Sequence, residues 1–116
     1  MTFGDFFQQS MTWVTLPAGL ENLTFGYHFN QSMEDVTLPA GLQSLTFGNA
    51  FHQDMEKVIL PDGLENLTFG YRWNWSMKMV TLPAGLKSLT FGSYLDQSME
   101  KVTLRGCCEV TYTPRL

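Results

Sequence analysis

Histidine and cysteine, on which metal centres and nucleophilic sites most often depend, are nearly missing from this chain. His28 and His52 are the only histidines among 116 residues, and the only cysteines, Cys107 and Cys108, are neighbours. Adjacent cysteines rarely reach disulfide geometry, and two thiols do not make a zinc site. They read as ordinary small residues near a chain end. Charge is scarce too, at 16% of residues with a net value of −4. The seven basic residues are scattered singly, so the chain offers neither the basic stripe of a nucleic-acid binder nor a patch for anionic membranes. No apolar run approaches the roughly 18–20 residues needed to cross a bilayer. The opening residues, MTFGDFFQQS, lack the basic start and apolar core of a secretory signal, which points to a cytoplasmic location. A nucleophile elbow, a zinc-protease helix, a phosphate loop and a dinucleotide fingerprint are all missing. No enzymatic activity, metal or cofactor is expected.

What the chain has is a period. Val-Thr-Leu-Pro-Ala-Gly-Leu begins at Val14, Val36 and Val80, with one variant at Val58, and Leu-Thr-Phe-Gly begins at Leu23, Leu45, Leu67 and Leu89. Every spacing is 22 residues, and Met1–Gly4 fits the same register. Aligning the units gives seven apolar columns. Met11, Met33, Met55, Met77 and Met99 form one; the others start at Val14, Leu16, Leu20, Leu23, Phe3 and Phe7, the last running through Phe29, Phe51, Trp73 and Leu95. A fixed period of this length marks a solenoid, in which a unit alone cannot bury enough surface to offset its ordering entropy and must stack on neighbours.

Within each unit two segments alternate apolar and threonine positions, the period-2 pattern of a half-buried strand. Val36 and Leu38 point inward around Thr37; Leu23 and Phe25 do so around Thr24. Proline ends the first segment because it has no amide donor. Gly41 and its equivalents supply the turn that follows, and Gly26 and its equivalents end the second segment. Helical periodicity with caps is missing. The expected fold is all-β: a parallel β-solenoid of about five 22-residue coils, with two short strands each, little helix and a rise near 4.8 Å per coil. Residues 1–104 make the solenoid. Residues 105–116, where Arg105 replaces proline and the pattern fades, make a degenerate cap or tail, with Val110 to Tyr112 as a last strand.

The run Phe25-Gly26-Tyr27-His28-Phe29-Asn30-Gln31 resembles the FNIP repeat, a member of the leucine-rich-repeat class. The stretch from Val36 to Phe51, VTLPAGLQSLTFGNAF, also resembles BspA-type leucine-rich repeats. The likeness covers residues 1–104. The FNIP proline is replaced here by Ser32, Asp54, Ser76 or Ser98, and Trp73-Asn74-Trp75 stands in place of Phe-Asn-Gln in the fourth unit. The resemblance implies a curved solenoid used for protein–protein contact and no catalytic residues. The residues themselves leave open which segment lines the concave side; the BspA-type likeness implies the Val-Thr-Leu segment.

Core columns repeat because packing demands it, whereas loop columns are free to vary. The two after each Leu-Thr-Phe-Gly read Asp5-Phe6, Tyr27-His28, Asn49-Ala50, Tyr71-Arg72 and Ser93-Tyr94. Tyrosine, tryptophan and arginine are the usual anchors of interfaces. The expected partner surface is therefore Tyr27, Tyr71, Arg72 and Tyr94, supported by Trp73 and Trp75, and the expected function is a non-catalytic scaffold for a protein partner of unknown identity. Gln9, Gln31, Gln53 and Gln97 are expected to form an amide ladder. Four glycosylation sequons, at Asn22, Asn30, Asn66 and Asn74, follow from duplication of one unit. An alternative use rests on the threonine ranks, Thr24 to Thr90 and Thr15 to Thr103 with Ile59 interrupting, which resemble ice-binding surfaces. A third reading makes the chain a piece of a longer array. Its uncapped N-terminal edge, Met1 to Phe7, invites self-association.

Overall fold

The computed structural model describes residues 1–9, 11, 14–73, 82–92 and the backbone of 109–112. Met77, Val80, Leu95, Met99, Val102 and Leu104 of the apolar columns lie outside these. One strand per coil forms where Leu-Thr-Phe repeats: β1 (Asn22–Thr24), β2 (Ser44–Thr46), β3 (Asn66–Thr68), β4 (Ser88–Phe91) and β5 (Glu109–Tyr112). They make a single parallel sheet in chain order. Leu23 pairs with Leu45, Leu45 with Leu67 and Leu67 with Leu89, so the sequence period becomes the sheet register without slippage. Thr2 bridges to Thr24 and brings the first unit into the stack. The step from β4 to β5 is one residue shorter: Leu89 pairs with Val110, Thr90 with Thr111 and Phe91 with Tyr112. Val-Thr-Tyr thus takes the place of Leu-Thr-Phe, and the fading tail supplies the last strand. The described residues contain no helix.

All seven apolar columns face inward. Met11, Met33, Met55, Leu23, Leu45, Leu67, Leu89, Phe29 and Phe51 are fully buried, and no polar or charged residue among the described ones is. Burial weakens most at the first coil, where Phe3, Phe7 and Leu20 are partly covered and Val14 is exposed; Leu38 and Leu82, on the Val-Thr-Leu side, are also only partly covered. Aromatic rings run through the core as two adjoining columns. Phe25 stacks on Phe29 within its coil at 4.1 Å and on Phe47 of the next at 5.5 Å. In the fourth coil Trp73 takes the phenylalanine position. It is fully buried, lies 4.1 Å from Phe69, and donates its indole Nε1–H to the Gln53 carbonyl at 2.9 Å.

Three turns complete the third coil. The Phe51 N–H donates to the Gly48 carbonyl, Val58 to Met55, and Leu64 to Pro61. Ser32 Oγ and Asp54 Oδ1 accept from the N–H two residues on, Glu34 and Glu56, so the residues standing where the FNIP proline would be tighten the turn with a side chain instead.

The second ladder, expected along the Val-Thr-Leu segments, does not form. Among the described residues no backbone hydrogen bond joins these segments in neighbouring coils. Alternation in sequence reports which side chains face the core; pairing requires in addition that the backbones lie about 4.8 Å apart. Here they cannot, because the coils are wedges. The Phe25 column, next to the sheet, has ring spacings of 5.3, 5.5, 5.7 and 5.8 Å. The Phe29 column, farther from it, has spacings of 5.9 and 6.2 Å. Separation grows with distance from the sheet, which therefore lies on the inside of the bend. The BspA-type likeness had implied the Val-Thr-Leu side; the geometry places the Leu-Thr-Phe sheet there.

Glycine sets the tight side of the wedge. A Cβ on Gly48 would overlap the Gly26 carbonyl oxygen and lie 2.7 Å from its carbon and 3.0 Å from Tyr27 Cα. Gly26, Gly70 and Gly92 meet the coil before them in the same way. The obstacle is backbone and cannot swing aside. The other glycine column differs: at Gly41 the nearest atom to an added Cβ is the Ala18 carbonyl oxygen at 4.0 Å.

Two stability predictions follow from these contacts. Gly48→Ala should cost roughly 2–3 kcal/mol by forcing adjacent coils apart, whereas Gly41→Ala should change stability by less than about 1 kcal/mol. Thermal melts of the pair decide it, since equal midpoints would mean that the coils do not touch at the glycine column. Trp73→Phe should cost roughly 1–3 kcal/mol, because it removes buried ring area and the indole donor serving the Gln53 carbonyl. Urea unfolding measures that loss.

Candidate functional site

The variable columns lie just past the sheet, along the edge formed by the Gly-x-x-Phe turns. Their backbones remain laddered. The His28 N–H donates to the Asp5 carbonyl at 2.9 Å, Ala50 to Tyr27 at 2.9 Å, and Arg72 to Asn49 at 3.2 Å. Side chains add to this. The first variable column alternates, Asp5, Tyr27, Asn49, Tyr71, and each acid or amide accepts from the tyrosine N–H one coil on: Tyr27 to Asp5 Oδ1 at 3.3 Å, and Tyr71 to Asn49 Oδ1 at 3.4 Å. The two tyrosines are thus placed by short polar neighbours in the same column.

Both histidines serve this edge. A carbonyl can only accept, so each ring Nδ1 carries the proton where it meets one. His28 donates to the Asp5 carbonyl at 2.8 Å and His52 to the Arg72 carbonyl at 2.5 Å. Arg72 is therefore fixed at its N–H by Asn49 and at its carbonyl by His52, while its side chain stays exposed. Asn30 binds the coil above through its Oδ1, which accepts from the His52 N–H at 2.8 Å and from Gln53 Nε2 at 3.1 Å. The glutamine ladder expected from the sequence takes this form instead: Gln53 reaches asparagine of the neighbouring coil.

The surface presented is aromatic. Phe6 is 82% exposed and stacks on the His28 ring at 5.2 Å, and Tyr27, 44% exposed, tilts against the same ring at 4.9 Å. Tyr71 is half-buried and borders a shallow hollow of about 290 Å³ that opens where Gly70 and Gly92 carry no side chain. Of the six residues expected at the partner surface, Tyr27, Tyr71 and Arg72 come together on this edge. Trp73 does not join them, because its column position turns it into the core. Trp75 and Tyr94 lie outside the described residues. Phe6 was missed, though its place in the Arg72 column was a readable signal. The outward Thr24, Thr46, Thr68 and Thr90 form a paired rank, but Thr15 and Thr37 lie on segments without a ladder, so the second threonine rank is not a sheet surface.

Among the described residues no three histidine, cysteine or carboxylate side chains converge in a way that could hold a metal ion. Among the described residues no helix is long and apolar enough to cross a membrane. The only salt bridge among them, Lys87 to Glu65 at 2.9 Å, is solvent-exposed and adds little stability.

Comparison with known proteins fits this architecture. The FNIP Repeat family model matches residues 7–48 and 29–72. A solved structure described as a novel circular LRR protein, CroV588, superposes with a TM-score of 0.80 at 38% identity, covering 98% of this chain and 18% of that one. The chain thus spans under a fifth of that protein's length. Curated proteins give no match. With that family model matching residues 7–72, more than half of the sequence, the chain belongs to the FNIP repeat family.

Proposed function

We propose that this solenoid is a non-catalytic scaffold that holds a protein partner along the Gly-x-x-Phe edge of its concave sheet. The observation that carries the reading is the exposed row of Phe6, Tyr27 and Arg72, with His28 and Tyr71 half-buried beside it, on backbone already fixed by the hydrogen-bond ladder. None of these side chains is needed by the core. Their surface is apolar and aromatic with one cation, the composition of interface anchors. Because the backbone is laddered beforehand, little ordering entropy would be lost on binding.

The test compares affinity capture by the wild-type protein with capture by Tyr71→Ala combined with Arg72→Ala. A partner retained by the wild type should be lost from the double variant, while the melting temperature moves by no more than a few degrees. Equal recovery by both baits would remove this edge from the binding surface.

A second reading, in which these coils form an arc of a larger array, is favoured by the wedge. Spacing that rises from about 4.8 Å at the sheet to about 6 Å some 5 Å deeper corresponds to roughly 14° per coil, so about 25 coils would turn full circle. The circular relative is matched over 18% of its length by five strands' worth of this chain, which is of the same order. Further coils, in the same protein or in a second copy, would stack on the first one. Phe3 and Met1 use their backbones to pair with Thr24, which leaves the Thr2 N–H and carbonyl directed away from the sheet. Thr2→Pro removes that donor without touching the internal pairs. Light scattering should show concentration-dependent association of the wild type that this substitution reduces; a strict monomer at high concentration would count against docking of copies.

A further inference from the structure

The open side of the wedge carries a second surface. Between the second and third coils the unpaired Val-Thr-Leu segments separate around a groove of about 430 Å³. Val36 and Leu38 form part of its floor, and Ile59 stands beside it with 83% of its surface exposed. Glu34, Asp35 and Asp62 border it. None of its lining residues belongs to the sheet or to the Gly-x-x-Phe edge.

Two of these residues depart from the repeat, and both departures fall on this groove. Ile59 occupies the column that is Thr15, Thr37, Thr81 and Thr103 in the other coils. Asp62 occupies the column that is Ala18, Ala40 and Ala84. Threonine and alanine satisfy the fold at those positions, so packing does not call for either change. One places a branched apolar side chain in water, where it is unfavourable. The other adds a third carboxylate to a groove already bordered by Glu34 and Asp35 and raises its negative charge. A ligand that is apolar and cationic at once would complement both.

We propose that this groove docks an extended segment of a partner protein carrying an apolar side chain next to a lysine or arginine. The apolar group lies against Ile59 and Leu38, and the cation pairs with Asp62 and Asp35. Attraction of this kind steers encounter and weakens with salt.

Panning a random-peptide display library on the intact protein tests it. Enriched peptides should pair a basic residue with an apolar one, and should lose affinity by about tenfold or more to Ile59→Thr and to Asp62→Ala. Each substitution restores the residue found in the other coils, so folding is maintained and an unchanged melting temperature verifies it. Binding should fall as salt is raised, and should persist in Tyr71→Ala combined with Arg72→Ala. The proposal is overturned by an absence of enrichment, by enriched peptides without basic residues, or by affinity indifferent to both restoring substitutions. Loss of binding in the Tyr71 and Arg72 variant would also overturn it, because the peptide would then sit on the sheet edge.

Discussion

Backbone touching backbone at the glycine column is the constraint from which the other features of this solenoid follow. Where Gly26, Gly48, Gly70 and Gly92 stand, each coil rests on the carbonyl of the one before. That contact holds the Leu-Thr-Phe strands at hydrogen-bonding distance and in a register of one full repeat. It also aligns the phenylalanines of successive coils into stacks whose planes differ by 5° to 11° in the Phe25 column. On the other long side of the coil, an added Cβ at Gly41, Gly63 or Gly85 would stay 3.3 Å or more from the coil before it. Ring centroids of successive coils are spaced 5.3 to 6.2 Å, wider than the usual strand spacing of about 4.8 Å, so the core is more open than the sheet beside it. Curvature is the outcome of a glycine column that lets the coils close at the sheet while the rings in the core keep a wider spacing.

The wedge then distributes properties around the coil. On its tight side almost every backbone group is paired, and the side chains that project from it are fixed at their bases. Asp5 and Asn49 contribute by accepting the N–H of the next tyrosine, and His52 by holding the Arg72 carbonyl. On its open side the backbone is not paired between coils, and solvent enters between Val36 and Ile59. A short polar residue at the start of a turn, Ser32 or Asp54, is enough to close the loop locally there.

Much of this was legible from the period alone. Identical residues recurring every 22 positions must stack if the chain is to have a core at all, and the burial of Met33, Met55 and the leucine and phenylalanine columns follows directly. What the pattern could not convey was distance. Val-Thr-Leu and Leu-Thr-Phe have the same alternation, yet only the second is followed by a glycine that lets coils close up, so only it becomes a ladder. The glycine was visible, but read as a turn residue its steric meaning was hidden. Trp73 illustrates the same limit. Its column marked it as core while its residue type suggested an interface, and column position proved the stronger determinant because neighbouring rings above and below leave it no other place. Phe6 erred in the opposite direction, an aromatic on an outward column whose exposure follows from that column.

In a stack of this kind the columns that bear on stability and those that bear on recognition are separate, since a side chain either lies between coils or projects from them. Departures from the repeat can therefore be sorted by column. Trp73 for phenylalanine is a core exchange answered by a hydrogen bond to Gln53. Ile59 for threonine and Asp62 for alanine are outward exchanges with no answering hydrogen bond or ion pair among the described residues, and they fall together beside one groove. Divergence on core columns must be compensated inside the coil, because a misfit there disturbs two interfaces at once. Divergence on outward columns that is unfavourable for the free chain and spatially clustered has no such internal explanation, so its cause must be sought in what the surface meets.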